Sequence, residues 1–291
     1  MNVQELAERN RIFLTRAGSH AYGLATEESD EDFRGVFIGL PDNLIGLFPV
    51  EQCEGPGDTT IFELKKFIML ARDCNPNIIE LLYVDEGDIL FQNEWWQRIK
   101  AQRDQFLSKK AKYTFSGYAM AQLKRIKGHN RWLGNPQPVA PLAPAKYLKV
   151  KHIEGLGHRE VFDQIAYDTA LKQWKQYWEW KTNRNQKRAA LEEEHGFDSK
   201  HGTHLIRLMR MGIEIMSGQG VIVKRPDRDE LMAIRNGQMT YEELVALAAD
   251  YERRLEELYA TSDLPHAPDG DKINRLLLEI YHDFWTQRGL W

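Results

Sequence analysis

Cysteine is nearly absent from this chain: Cys53 and Cys74 are the only two in 291 residues, and they form no Cys-x-x-Cys pair. That excludes a disulfide framework and a thiolate zinc site, and both residues read as small, semi-buried hydrophobes. Long apolar runs are missing too. No stretch approaches the roughly 20 residues that span a bilayer, and the N-terminus is too polar and acidic for a secretory signal, so the expectation is a cytoplasmic protein with no membrane partner. No internal repeat or low-complexity tract occurs. A further absence is local. From Gln105 to Ile153 there is not one Asp or Glu, while ten Lys and Arg residues fall in the same window. The rest of the chain then carries 29 basic against 43 acidic side chains, so a cationic surface is expected on an otherwise acidic molecule.

A hydrophobic content of 42% is ample for a core, in one large domain or two smaller ones. The pattern predicts a short amphipathic helix in the first ten residues, strands over 11–15 and 30–38, and a third strand over 58–62 leading into a helix over 64–71. Asn75-Pro76-Asn77 then breaks the helical pattern. Beyond Asn93 the spacing is largely helical, with segments over 113–126, 162–180, 184–194, 199–217, 228–235, 241–259 and 273–286. Thr240 with Glu243 forms a capping box that fixes the start of the segment at 241. The proline-rich stretch over about 128–157 reads as a long basic loop. The reading is α+β: a small mixed-sheet domain over 1–105, followed by a mostly helical domain over 106–291.

The stretch 17–36 carries the chemistry. Gly18-Ser19 ends one strand, and Asp30 and Asp32 open the next, where period-two alternation puts both carboxylates on one face. Paired carboxylates repel unless a cation lies between them, and an oxygen-only donor set suits Mg2+. The Gly-Ser turn offers backbone N–H groups and a hydroxyl to phosphate oxygens beside that ion. A lone Asp-x-Asp is common on surfaces; its position after a strand and a Gly-Ser turn is not.

The run Gly18-Ser19-His20-Ala21-Tyr22-Gly23-Leu24-Ala25-Thr26, followed by Ser29-Asp30-x-Asp32-x-Arg34-Gly35-Val36, resembles the polymerase β-like nucleotidyltransferases. More narrowly it is similar to the RNA-ligase-associated, RNA-repair branch of bacteria and phages. Phe62 to Phe67, Asn75-Pro76-Asn77 with Glu80-Leu81-Leu82, Lys200-His201-x-x-His204-Leu205-x-Arg207-Leu208, and Arg225-Pro226 with Ile234 to Gly237 extend the likeness along most of the chain. The resemblance implies transfer of a nucleoside monophosphate from an NTP to a hydroxyl, with pyrophosphate leaving and two Mg2+ ions held by Asp30, Asp32 and a third acid from a neighbouring strand. Asp58 is the first choice for that acid and Glu63 the competitor.

Gly18 and Ser19 are expected at the phosphates. Tyr22 reads equally as pocket wall or core, and Ser29 as a residue orienting the Asp pair. Arg34 reads equally as a phosphate neutraliser or a salt bridge to Asp32 or Glu31. Lys200, His204 and Arg207 share one helix face that could meet the triphosphate, against the alternative of a solvated basic face. A zinc reading of His201 and His204 lacks a third ligand. Lys124, Arg125, Lys127 and Arg131, in the acid-free segment with Tyr113, Phe115, Tyr118 and Trp132, suit a nucleic-acid surface, with RNA favoured. The same pattern also fits a helix with one buried side. Two other functions share these features: a nucleotidylyltransferase acting on a small molecule or protein, and a non-catalytic nucleic-acid-binding protein.

Overall fold

The computed structural model describes residues 2–141, 146–184 and 186–290. Its first part is a five-stranded mixed sheet in the order β3-β4-β2-β1-β5. The strands are β1 (Arg11–Ala17), β2 (Asp32–Phe37), β3 (Gln52–Gly55), β4 (Asp58–Glu63) and β5 (Ile89–Gln92). β2 and β4 run parallel, whereas β1 pairs antiparallel with β2 and β5, and β3 antiparallel with β4. Around them lie α1 (Val3–Arg9), α2 (Gly18–Ala21), α3 (Pro41–Ile45), α4 (Leu64–Arg72), α5 (Pro76–Leu82) and α6 (Glu94–Lys100). Helices then dominate: α7 (Lys110–Gly134), α8 (Gln164–Asn183), α9 (Gln186–His195), α10 (Ser199–Met216), α11 (Arg228–Arg235), α12 (Tyr241–Thr261) and α13 (Gly270–Gln287). Between α7 and α8 a separate ribbon forms from β6 (Leu148–Ile153) and β7 (Gly157–Phe162). The α+β architecture expected from the sequence is thus what the chain adopts.

Alternation sorts the sheet into two faces. Leu6 and Ala7 of α1 cover one, meeting Phe37, Cys53 and Ile61. The other face, with Val36, joins a single buried cluster that runs from Ile12 to Trp285. At its centre Trp96 stacks on Phe13, ring centroids 3.8 Å apart, and meets Phe67 edge-on. Each such aromatic contributes a few kcal/mol by burial, on the order of the 3–5 kcal/mol lost when one is cut to alanine. α10 is the axis of the helical part and is buried along almost its whole length, with α7, α11 and α12 packed against it. Gly212 permits a close approach, since a Cβ there would lie 3.2 Å from Phe115 and 3.3 Å from Leu255.

Three expectations need correction. The helix expected over 113–126 runs on to Gly134, past the end of its buried stripe at Ile126, where His129 pairs with Glu192 and Trp132 meets Tyr177 edge-on. The long loop over about 128–157 is therefore mostly helix end and ribbon; alternation of Leu148 and Val150 with Lys149 and Lys151 makes β6, and residues 142–145 lie outside the described residues. β3 and β5 add two strands that the sequence pattern does not predict, being four residues each and too short for a periodic signal. Residues 220–224 form an extended connector, with Val223 buried. Among the described residues no helix is long and apolar enough to cross a membrane.

Candidate active site

Three strand ends converge at one edge of the sheet. Ala17, the last residue of β1, pairs with Asp32 at the start of β2, and Asp32 pairs in parallel register with Asp58 at the start of β4. β1 then turns sharply: Gly18 has φ +60°, and a Cβ on it would lie 2.1 Å from Asp32 Oδ2. Glycine is required twice over, for a left-handed backbone and for the space that the carboxylate occupies. The single turn of α2 follows, with Ser19 half-buried in it.

Asp32 and Asp58 share a hydrogen bond between their carboxyl groups. Burial, then that bond and the charge of Asp58, raise Asp32 above the usual carboxylate range. Asp58, whose side chain is 61% exposed, is lowered by the bond from Asp32 and by the Arg34 guanidinium. The two carboxyl groups thus shift in opposite directions, and a cation between them would relieve their repulsion. Arg34 lies on the same face and donates to Asp58 Oδ1 at 3.1 Å and to its backbone carbonyl at 2.6 Å. The bridge expected from Arg34 to Asp32 or Glu31 is therefore made to Asp58, while Glu31 pairs with Arg16.

Glu63, the competing third acid, is 1% exposed and caps α4 by accepting from Lys65 N–H at 2.7 Å. It also accepts from Tyr281 Oη at 2.7 Å and Gly39 N–H at 3.1 Å. Its acceptors are occupied by the framework, and the geometry beside Asp32 belongs to Asp58. β2 opens at Asp32 rather than at residue 30, so Asp30 is exposed in the preceding loop and the alternation argument does not reach it. Ser29 Oγ accepts from Thr26 N–H at 2.9 Å, which closes the turn leading to Asp30 and does not bond the Asp pair.

A cavity of about 200 Å3 opens behind the carboxylates, lined by Gly18, Tyr22, Asp32, Arg34, Asn77 and Glu80 among others. Tyr22 is buried and its hydroxyl donates to Glu80 Oε2 at 2.5 Å. Arg207, 3% exposed, pairs with Glu80 and lies 3.6 Å from the Tyr22 ring centroid. Tyr22 is thus both core and wall, and burial beside Glu80 pushes its hydroxyl far up. The sequence hint for Glu80 is a lone carboxylate inside Ile78-Ile79-Glu80-Leu81-Leu82, which a buried helix accepts only with a partner. The loop after Tyr22 is gripped from the helical part: Arg225 N–H donates to Tyr22 O at 3.0 Å, Arg228 Nε to Gly23 O at 2.8 Å, and Arg235 to Leu24 O at 2.9 Å.

α10 faces the same motif. Lys200 lies near enough to Asp32 for its charge to oppose that residue's rise, and His204 meets Tyr22 edge-on at 6.5 Å. The helix is not a solvated basic face, since Arg207 is buried against Glu80. His201 turns away to Asp198. Lys124, Arg125, Lys127 and Arg131 lie on α7 away from its buried stripe. Tyr113 and Tyr118 are exposed too, whereas Phe115 is buried, so the aromatics divide between surface and core. A separate group of donors, His129, Glu192 and Asp198, lies within 4.8 Å of one another. Glu192 there pairs with Arg184 and His129, so much of its charge is already matched.

A glycine turn at one strand end thus faces carboxylates at the next two, on a mixed sheet that carries helices on both faces. Residues 2–134, a little under half of the chain, match the model of the RlaP family, described as the RNA repair pathway DNA polymerase beta family. The chain is also similar to an uncharacterized 38.9 kDa protein of Enterobacteria phage T4, from the nrdC-mobD intergenic region, at 28% identity over 127 residues. That match covers 38% of this chain and 38% of the phage protein's length. No solved structure matches.

Proposed function

We propose that this chain is a Mg2+-dependent nucleotidyltransferase that moves a nucleoside monophosphate from an NTP to a hydroxyl at the end of a nucleic acid, RNA before DNA. The observation that carries the reading is the parallel register that sets Asp32 beside Asp58 against the Gly18 turn. The donors are all carboxylate oxygens, which fits Mg2+, one ion or two, held by Asp32 and Asp58 with Asp30 joining from its exposed loop. Bound there, the metal supplies charge neutralisation at the attacking and leaving oxygens.

The protein's own groups then divide the work. Backbone N–H groups at Gly18 and Ser19 hold the β- and γ-phosphates; Tyr22, His204 and the Ser29 turn shape the nucleotide's wall, and Lys200 offsets phosphate charge from α10. The acceptor oxygen attacks the α-phosphorus, the bond to the β-phosphate oxygen breaks, and the electron pair leaves with pyrophosphate. Asp58, kept ionised by Arg34, takes the hydroxyl proton. Lys124, Arg125, Lys127 and Arg131 meet the backbone of the acceptor strand.

The test is incubation with each labelled NTP, Mg2+ and a panel of RNA, DNA and small hydroxyl acceptors. Extended RNA and released pyrophosphate are the expected products, both lost with EDTA. Absence of pyrophosphate release with every NTP and acceptor overturns the reading, and transfer confined to small acceptors overturns its nucleic-acid part.

A further inference from the structure

The β6–β7 ribbon stands apart from the main sheet and has no third strand among the described residues. Two-stranded ribbons are marginal in water unless something holds them. This one is tied at its open end. Asp163 N–H donates to Tyr147 O at 2.6 Å, Lys149 pairs with Asp163 at 2.9 Å, and Tyr147 and Phe162 both meet the Tyr167 ring of α8. The distal half projects, with Val150 and Leu156 at least 60% exposed.

Register assigns the side chains to faces. Leu148↔Phe162, Val150↔Glu160 and His152↔His158 alternate with Lys149↔Val161, Lys151↔Arg159 and Ile153↔Gly157. One face therefore gathers Lys149, Lys151 and Arg159, and the last two are directly opposite. Facing like charges destabilise a ladder, and here they do so on a ribbon with little stability to spare. Both are exposed, and among the described residues neither has a carboxylate partner; Glu160 faces the other way, beside Val150. Lys149 and Lys151 repeat at two residues, about 6.7 Å along the strand, of the order of the phosphate repeat in an extended nucleic-acid strand. A compact multivalent acid would meet these groups at one point, whereas a phosphodiester backbone meets them in series.

We propose that the β6–β7 ribbon is a backbone clamp for a single RNA strand, with Lys151 and Arg159 straddling one phosphate and Lys149, part-exposed and shared with Asp163 at the anchored end, next to it. The identity of the polymer rests on the nucleotidyl-transfer reading above; the paired cations do not. Paired strands are a poorer fit, because the deep, narrow major groove of A-form RNA does not admit such a ribbon.

The test measures binding of a fluorescent single-stranded RNA to the full chain by anisotropy across a salt series, with no NTP present. Lys151→Glu/Arg159→Glu is expected to weaken binding on the order of tenfold and to flatten the salt dependence by about 0.7 units of slope, one phosphate contact's worth for a single strand. Lys151→Thr separates binding from folding: relief of the facing charges should raise the melting temperature while RNA affinity falls. Unchanged RNA affinity and salt slope in the double variant overturns the proposal. So does equal, equally variant-sensitive binding of polyglutamate, which marks the ribbon as a dock for acidic proteins. Asp32→Asn keeps the two readings distinct, since it should lose pyrophosphate release yet bind RNA as the unsubstituted chain does; RNA binding through the ribbon in a chain that never releases pyrophosphate upholds the clamp alone.

Discussion

At Asp32 and Asp58 two carboxylates meet across parallel strands, and at Lys151 and Arg159 two cations meet across antiparallel ones. The surroundings differ. The acidic pair is backed by the core through Val36 and Ile38, held by Arg34, faced by Lys200, and fitted so tightly to Gly18 that no Cβ enters. The basic pair stands on an exposed ribbon anchored at one end. Repulsion that a packed framework fixes in place produces a rigid binding point whose two carboxyl groups shift in opposite directions. Repulsion on an open ribbon is relieved by bending or by a counter-ion, which suits adaptable grip along a polymer.

Breaking the acidic pair should have the largest effect. Asp32→Asn should lower turnover by about 10^3-fold or more, the scale for losing one preorganised electrostatic contact, while the melting temperature holds or rises because a like-charge contact is gone. Steady-state pyrophosphate release and a thermal melt measure the two together, and a parallel loss of stability would show that the pair is structural. Next is the buried brace behind it. Arg207→Met leaves Glu80 desolvated and should cost about 3–5 kcal/mol in urea unfolding, much of it recovered when Glu80→Met is added. Gly18→Ala is smaller in stability, about 1–2 kcal/mol from the left-handed backbone, but it also displaces Asp32. Its Mg2+ affinity should therefore fall further than its stability does, as titration calorimetry would register.

Part of this arrangement is legible in the amino-acid sequence. The strand, the Gly18-Ser19 turn and Asp32 are neighbours along the chain, and local patterns carry local geometry. The capping box of Thr240 and Glu243 is present at the start of α12 for the same reason. Asp58 is harder to read, because its place beside Asp32 is set by parallel register across a connection of about 20 residues. That register also decides against Glu63, which the same strand carries to its far end and buries. Arg207 and Glu80 are 127 positions apart, and no local signal joins them. The ribbon is hidden by its charges, since alternation of lysine with Val150 and Leu148 in a proline-rich stretch reads as loop until a partner strand is known. α7 outruns its expected end because the contacts that hold its last turns, His129 to Glu192 and Trp132 to Tyr177, are long-range and leave no local signal.

The finest comparison within the acidic pair is its proton. Burial and Asp58 raise Asp32 in the folded chain, so the folded state keeps a proton there that the unfolded chain has already released. That part of the stability is complete below the ordinary aspartate range and is lost as pH rises through the raised value. Asp58 has the opposite sign: it is lowered, so its contribution is present above the ordinary range and is lost as pH falls through its own value. Mg2+ needs both groups ionised. Its stabilising effect should therefore be small where Asp32 is protonated and should grow as pH climbs past the raised value. Melting temperatures with and without Mg2+, taken across the acidic range, should diverge upward with pH by a few degrees. Asp58→Asn removes the neighbouring charge and puts a carboxamide N–H donor beside Asp32, which returns Asp32 toward its ordinary value; the divergence should begin at lower pH and be smaller. If the onset stays where it was, the rise of Asp32 comes from burial alone and Asp58 adds nothing to it.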